Sequence, residues 1–527
     1  MAVAVSWCFL VLFPCLQALN VFSPPNGQKL EKIVTHPQSG TIYVSAVNAV
    51  YQLTKDLKAV QEYITGPKPS GDCLPLSLAN QIGLGSSMTC ADGLPPKDSH
   101  THLMIVNEND NTLIVCNSVD YGACNLHDST DISRIAINSS EIVKRANSSI
   151  PIPQLAFWAL LAPVVVSISD KASSSAVITT NRRGESLLVV ATRRPALMGQ
   201  LALPLLTVRN LGKNEPLKPL GKLDLPAWRT ASGEYYYPRQ SFSTFSYVYF
   251  TSIQQTFPLR DSHKTVISRV CVDDNGIANK PIYAISSLKS YMEADIACRS
   301  PNGTMFKYLT AQSITYPGAS LRMILNLSQS DGMLIAAFAQ EFDYIRDEER
   351  GPSVVCMFLL NEMEQQFRVD ENRCRAGNGT MELTRERTSF PCSTVAPHWS
   401  SSSCSPDAGL YYYDEVRQPI ESEPLWYLPS SVVTSTVSTV VGKKTILFVG
   451  TDKGRIVKLS IDDRVSASFM EEIPLALHFV SKILSNGLIL TNDSHIYALS
   501  DTKPWICILC VSLFYLVTVF LYCQSGG

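Results

Sequence analysis

Cysteine is the residue type best placed to do chemistry in this 527-residue chain, and the chemistry is oxidative pairing. Of its 15 cysteines, Cys8 and Cys15 lie in an apolar N-terminal run, and Cys507, Cys510 and Cys523 lie in or beside an apolar C-terminal one. Between these ends stand Cys73, Cys90, Cys116, Cys124, Cys271, Cys298, Cys356, Cys374, Cys392 and Cys404. An even set behind a secretory leader reads as five disulfides formed in an oxidising compartment. No pair has CxxC spacing and no histidine cluster accompanies them, which disfavours zinc. A short loop such as Cys73–Cys90 restricts the unfolded chain by about 3 kcal/mol.

A second modification chemistry sits on asparagine. Asn138, Asn147, Asn302, Asn326, Asn378 and Asn492 each open an N-x-[ST] triplet without proline in the middle, so each is expected to carry a glycan on a solvent-facing turn. Catalytic motifs fare worse. GLGSS (83–87) lacks a third glycine and a helix pattern after it, and reads as a loop. VGKKT (441–445) has no glycine five residues before Gly442, and Lys444 stands where a phosphate loop needs Ser or Thr. His100 and His102 have a metal-sharing spacing, but KDSHTH reads as a polar loop with solvated rings. Asp273 and Asp274, before Asn275 and Gly276, suit a turn rather than a calcium loop. Asp347, Glu348 and Glu349 form a charge run on a solvated face, and no G-x-S-x-G elbow occurs. No cofactor and no metal are expected.

Composition agrees with a secreted or membrane-tethered chain. Hydrophobic residues make up 45% and charged residues 17%, enough apolar material for a large core. Lys plus Arg is 44 against 46 for Asp plus Glu, so no cationic surplus exists to neutralise nucleic-acid phosphates. Residues 1–18 read as a signal peptide, with an apolar core from Val3 to Phe13 and the small Ala18 at the cut. Leu16 is larger than is usual two positions before a cut, which leaves room for the cut to shift. At the other end, residues 505–522 (Trp505 to Tyr522) carry no charge and reach the minimum length of a transmembrane helix. Two alternatives stand beside a single span. One is a lipid-anchor signal cut near Asn492, Asp493 and Ser494. The other is an unusual splice at this end.

The elements that must carry these residues are strands. Residues 41–53 read as two strands about a turn near Asn48, and 176–192 as a hairpin turning at Asn181 to Gly184. Further strand candidates are 241–253, 265–272, 321–339, 352–360, the 445–461 pair turning at Thr451 to Gly454, and 487–500. Residues 155–168 read as buried strands. Short helices are expected at 289–300 and 361–367, and long loops at 195–228 and 400–404. Two tyrosine trios, 235–237 and 411–413, cannot each face one side of a strand, so one ring of each is expected exposed or at an edge; packing between sheets is favoured over interface anchoring. Residues 20–502 show no internal composition break. So many short antiparallel strands exceed one sandwich, and radial repetition of small sheets leaves no long free edge. The expectation is an all-β protein, a β-propeller with loop and short helical insertions.

Five segments then resemble the sema domain, the seven-bladed propeller of plexins, semaphorins and the hepatocyte-growth-factor receptor family. SGTIYVSAVNAVYQL (39–53) resembles that family's first hairpin. ITGP (64–67) with Asp72 and Cys73, and NTLIVCNSVDYGACNLH (111–127), resemble the plexin stretches around the first two cysteine pairs. SRVCVDDNG (268–276) resembles a shared R-[VIL]-C motif, and ILFVGTDKGRIVKLSI (446–461) the last blade. The matches keep the family's order. The resemblance implies bridges Cys73–Cys90, Cys116–Cys124, Cys271–Cys404, Cys298–Cys356 and Cys374–Cys392, of which the first two also follow from local spacing. It implies a non-enzymatic receptor, co-receptor or decoy that binds semaphorins, anchored in the cell membrane facing outward, or secreted if 505–522 is no span. With the sequence ending at Gly527, the expectation is a chain without the family's cysteine-rich module after the propeller and without an intracellular GTPase-activating region. The rivals are a semaphorin-like ligand that binds plexins, a homophilic adhesion protein acting as a homodimer, and a propeller hydrolase, for which no motif is visible.

Overall fold

A computed structural model describes residues 20–25, 27–69, 96–138, 165–167, 172–192, 205–212, 217–223, 236–244, 246–255, 263–272, 286–288, 290–343, 348–378, 380–382, 389–394, 404, 415–474, 480–483, 488–491 and 496–498. Among these residues seven sheets of four or more strands follow one another along the chain, with two further two-stranded ribbons. The first sheet runs Leu30–Thr35, Ile42–Ala46, Ala49–Leu53 and Ala59–Ile64. The second runs Thr101–Asn107, Thr112–Asn117, Cys124–Asp128 and Ile135–Ile137. The third to sixth begin with Ser174–Thr180, Tyr236–Ser243, Tyr308–Thr315 and Val433–Val441. The first strand of each of these sheets packs on the first strand of the next. The seventh sheet (Val480–Ile483, Leu488–Thr491 and Ile496–Ala498) touches the first through Leu488–Thr491 and Leu30–Thr35, which closes the ring. Its fourth strand is Asn20–Phe22 from the other end of the chain, antiparallel to Ile496–Ala498. The architecture is a seven-bladed β-propeller.

The core lies between blades, which explains the sequence pattern. Met333–Asp343, in the fifth blade, opens MLIAAFA with no polar interruption. Leu334, Ala336 and Phe338 face the fourth blade, and Met333, Ile335 and Ala337 face the sixth. Period-2 alternation persists, but both faces are buried, so both must be apolar. The successive boundaries from the first blade to the sixth each hold one such cluster. Phe22 joins the first blade's core with Leu30, Ile33 and Tyr51, so the N-terminal strand contributes packing as well as hydrogen bonds.

Several expectations are corrected. The first part of 321–339 is not a strand but helix α1, Ala319–Leu325, entered from extended Gly318 and stopped by Asn326 in the left-handed region at φ 53°. Leu327 N–H reaches back to the Arg322 carbonyl at 2.9 Å, sealing the end. Among the described residues 290–300 there is no helix. Met292–Arg299 pairs instead with His263–Cys271 as the fourth blade's outer strand, because Ala294, Ile296 and Cys298 have a core to fill and helix propensity is a weak prior. The helix expected at 361–367 is longer, α2, Leu360–Arg375. Residues 241–253 contain a turn, Thr244 N–H donating to Tyr247 O at 2.8 Å, that splits them between two strands. The 195–228 loop holds two strands, Leu206–Asn210 and Pro219–Leu223, with a bulge where Pro219 ends the pairing. VGKKT is the tight turn of a hairpin, Gly442 supplying φ 63°.

One buried base in the second blade has a consequence for stability. His127 is 1% exposed, with Nδ1 2.7 Å from the Ile132 carbonyl and its ring edge-on to Tyr63 at 4.6 Å. Burial pushes its pKa below the ordinary 6.5. The unfolded chain therefore takes up this proton first. Stability is fully present above pH 6.5, falls as the pH drops below it, and levels off once the pH passes the depressed folded value. Thermal unfolding midpoints should fall between pH 7.5 and pH 5, and His127→Gln should remove that share of the slope.

Candidate recognition surface

Cross-links fix the surface first. Cys116 and Cys124 are direct partners across two strands of the second blade, with Cα atoms 3.9 Å apart, and are bonded to each other. The turn between them needs Gly122 at φ 75°, where a Cβ would lie 1.9 Å from the Val166 carbonyl oxygen. Cys298–Cys356 joins the fourth blade to the fifth. Cys374–Cys392 ties the end of α2 to the segment after it, and Cys271–Cys404 ties a fourth-blade strand to the chain before Glu415–Ser422. Cys73 and Cys90 lie outside the described residues. So do Asn147, Asn492, residues 83–87, 155–164, 273–276 and 411–413, and the terminal segments 1–18 and 505–522. Of the other sequons, Asn302, Asn326 and Asn378 are exposed and Asn138 is half-buried. Among the described residues no helix is long and apolar enough to cross a membrane.

An outgrowth on the fourth and fifth blades is held by one buried arginine. Arg269 sits on His263–Cys271 and is 1% exposed. Its guanidinium lies 2.8 Å from Glu364 and 3.3 Å from Glu371, both on α2. The Tyr247 and Phe367 rings cover it, with centroids 4.3 Å and 4.7 Å away. Tyr249 donates its hydroxyl to Glu364 at 2.5 Å, and burial followed by the Glu364 charge raises the tyrosine pKa. Met363 and Phe367, four residues apart, face the same core. Beside the helix, Glu415–Ser422 runs parallel to Met292–Arg299, and Arg299 makes a two-pronged pair with Glu421 at 2.6 and 2.8 Å. Sequence reading met Arg269 only as the arginine of the R-[VIL]-C motif and missed its role in holding α2. Its signal was an arginine inside a strand of otherwise core residues, two positions before Cys271.

The outer wall between the fifth and sixth blades carries an apolar groove. It has a volume of about 410 Å³ and is lined by Pro424, Leu425, Trp426, Tyr427, Val465, Ser466 and Ala467. Trp426 stacks on Phe469 at 6.2 Å, and Tyr427 meets buried Phe306 edge-on at 6.1 Å. Tyr427 and Phe469 are each about half exposed. The lining is suited to apolar and aromatic side chains of a macromolecular partner.

The remaining sequence candidates are structural. His102 is buried, contrary to the expected solvated ring, and His100 is only partly exposed. His100 Nδ1 lies 2.6 Å from Glu31 Oε1, while Glu31 Oε2 accepts the Thr101 N–H at 2.6 Å, and His102 is buried. These bonds stitch the inner strands of the first two blades, so the rings are taken up at the seam. No metal-holding cluster occurs among the described residues. Tyr236 and Tyr237 are both buried: Tyr236 in the core between third and fourth blades, Tyr237 edge-on to Phe342 at 5.8 Å. Neither is exposed, because a strand with a blade on each side hides both of its faces. Glu349, read as solvated, pairs with Arg239 of the neighbouring blade.

Comparison with known proteins agrees with this geometry. The Sema domain model matches residues 320–483. Mouse Plexin-A4 is 21% identical over 453 residues, covering 82% of this chain and 22% of the relative, so the chain spans less than a quarter of that protein. The Plexin A4 full extracellular region superposes with a TM-score of 0.74 at 19% identity, over 92% of this chain and 40% of the other. A chain of the Drosophila Plexin A complex with Semaphorin 1b superposes with a TM-score of 0.51 at 13% identity, over 91% of this chain and 86% of the other.

Proposed function

We propose, from the premise that the chain matches a plexin-like sema domain, that it is an extracellular recognition protein of semaphorin–plexin signalling. In this reading it grips a semaphorin ectodomain as a receptor, co-receptor or decoy, and transforms no substrate. The observation that carries the reading is the likeness of the closed, cross-linked ring to the Plexin A4 ectodomain over 92% of this chain. Physical chemistry supports it. A ring whose loops are held by disulfides and by the Arg269 clamp loses little freedom on association, so more of the contact energy appears as affinity. Residues 1–18 act as the export signal and 505–522 as a single membrane span, placing the ring outside the cell where its bridges and glycans form.

The test is to display the full chain on cells and titrate soluble semaphorin and plexin ectodomains. Saturable binding to a semaphorin, competed by a plexin-A ectodomain, is the expected result. Binding to plexins but to no semaphorin would reassign the chain as a ligand. Failure to bind either, together with concentration-dependent self-association in sedimentation, would replace the proposal with homophilic adhesion.

A further inference from the structure

Helix α1 presents the most exposed apolar side chain among the described residues. Met323 is 75% exposed and its neighbour Ile324 57%, with Tyr316 just before the helix at 58%. Only Leu321 of this helix is buried. An uncovered apolar tip of this kind invites association. The residue that ends the helix is Asn326, first of the triplet Asn326-Leu327-Ser328. It is exposed, stands three residues after Met323 at the left-handed end of the helix, and its side-chain amide makes no hydrogen bond among the described residues. Asn302 differs, its side-chain oxygen being engaged by Ser300 and by the Thr304 N–H at 3.1 Å.

We propose that Asn326 carries an N-linked glycan whose first sugars lie over Met323 and Ile324 and keep this tip from self-associating. The donor is an oligosaccharide on a lipid pyrophosphate. The bond from Asn326 Nδ2 to C1 of the first N-acetylglucosamine forms as the C1–O bond to pyrophosphate breaks. The lipid pyrophosphate leaves, and the amide proton passes to a base of the transferase. The left-handed turn suits attachment, because it lifts the asparagine off the helix end. The apolar face of the sugar ring then covers the methionine and isoleucine, while its hydroxyls meet water. This inference stands whether or not the chain binds a semaphorin.

The test uses the full chain secreted or displayed by mammalian cells. Glycopeptide mass spectrometry after amidase treatment in heavy-oxygen water should find Asn326 converted to labelled aspartate; an unmodified Asn326 overturns the proposal. Ser328→Ala removes the sequon and leaves the left-handed asparagine in place, whereas Ser328→Thr keeps the sequon. Ser328→Ala should raise fluorescence of an apolar dye about twofold and make sedimentation concentration-dependent, and adding Met323→Ser should reverse both. Ser328→Thr should match the parent. If Ser328→Ala is not secreted, amidase removal from the folded parent gives the same readouts. Loss of the glycan with no change in dye binding or sedimentation would sink the shielding role.

Discussion

Replacing Arg269 by methionine should destabilise the propeller by about 3 kcal/mol, the lower end of the range for breaking a buried ion pair from one side. The loss comes from the carboxylates left behind more than from the missing contacts. Glu371 is 7% exposed and would keep its charge away from water. Glu364 keeps a second pair, with Arg368 at 3.1 Å. The cation's contacts with Tyr247 and Phe367 go too, although methionine retains part of that packing. The decisive variant is the double change Arg269→Met with Glu371→Gln. It should recover more than half of the loss, because an uncharged side chain no longer needs the guanidinium. Denaturant titrations followed by circular dichroism give both numbers. A loss below about 1 kcal/mol for Arg269→Met would mean that α2 is held by packing alone.

Removing the Cys271–Cys404 bridge by paired serine substitutions should cost about 4 kcal/mol, against about 2.5 kcal/mol for Cys116–Cys124. The two bonds close loops with sequence separations of 133 and 8. Two other bridges, Cys298–Cys356 and Cys374–Cys392, lie inside the longer loop and shorten its free path, which lowers the figure from the bare chain value. The same denaturant titrations, compared between the two double variants, check the order. Equal costs, or a reversed order, would show that unfolded-chain entropy is not what these bonds act on.

Strand pairs closed by short turns were readable from the sequence. Ile42–Ala46 with Ala49–Leu53 about Asn48, and Lys444–Thr451 with Arg455–Asp463, carry their signals within a dozen residues. Elements that depend on partners far along the chain were not. Met292–Arg299 is rich in helix-forming residues and becomes a strand only because His263–Cys271 offers an edge and a core. Likewise, the tyrosines at 236 and 237 look like a two-faced problem until a blade is placed on each side of them. The surface was the least legible part. The groove is made by Pro424–Leu428 and Ser466–Pro474, whose side chains meet only through three-dimensional packing. The role of Arg269 was hidden for a related reason: its two carboxylate partners are about a hundred residues away on α2.

The last sheet, built from Asn20–Phe22 and residues 480–498, sets an order of events at the ribosome. Six sheets can form as they emerge, but Asn20–Phe22 has no hydrogen-bonding mate until Ile496–Ala498 has been translated. Until then the nascent chain holds its first strand idle, without the mate that Ile496–Ala498 supplies. Release from chaperones should therefore come late and all at once, and a nonsense codon anywhere before residue 496 should yield a product retained by quality control rather than a shorter working fragment.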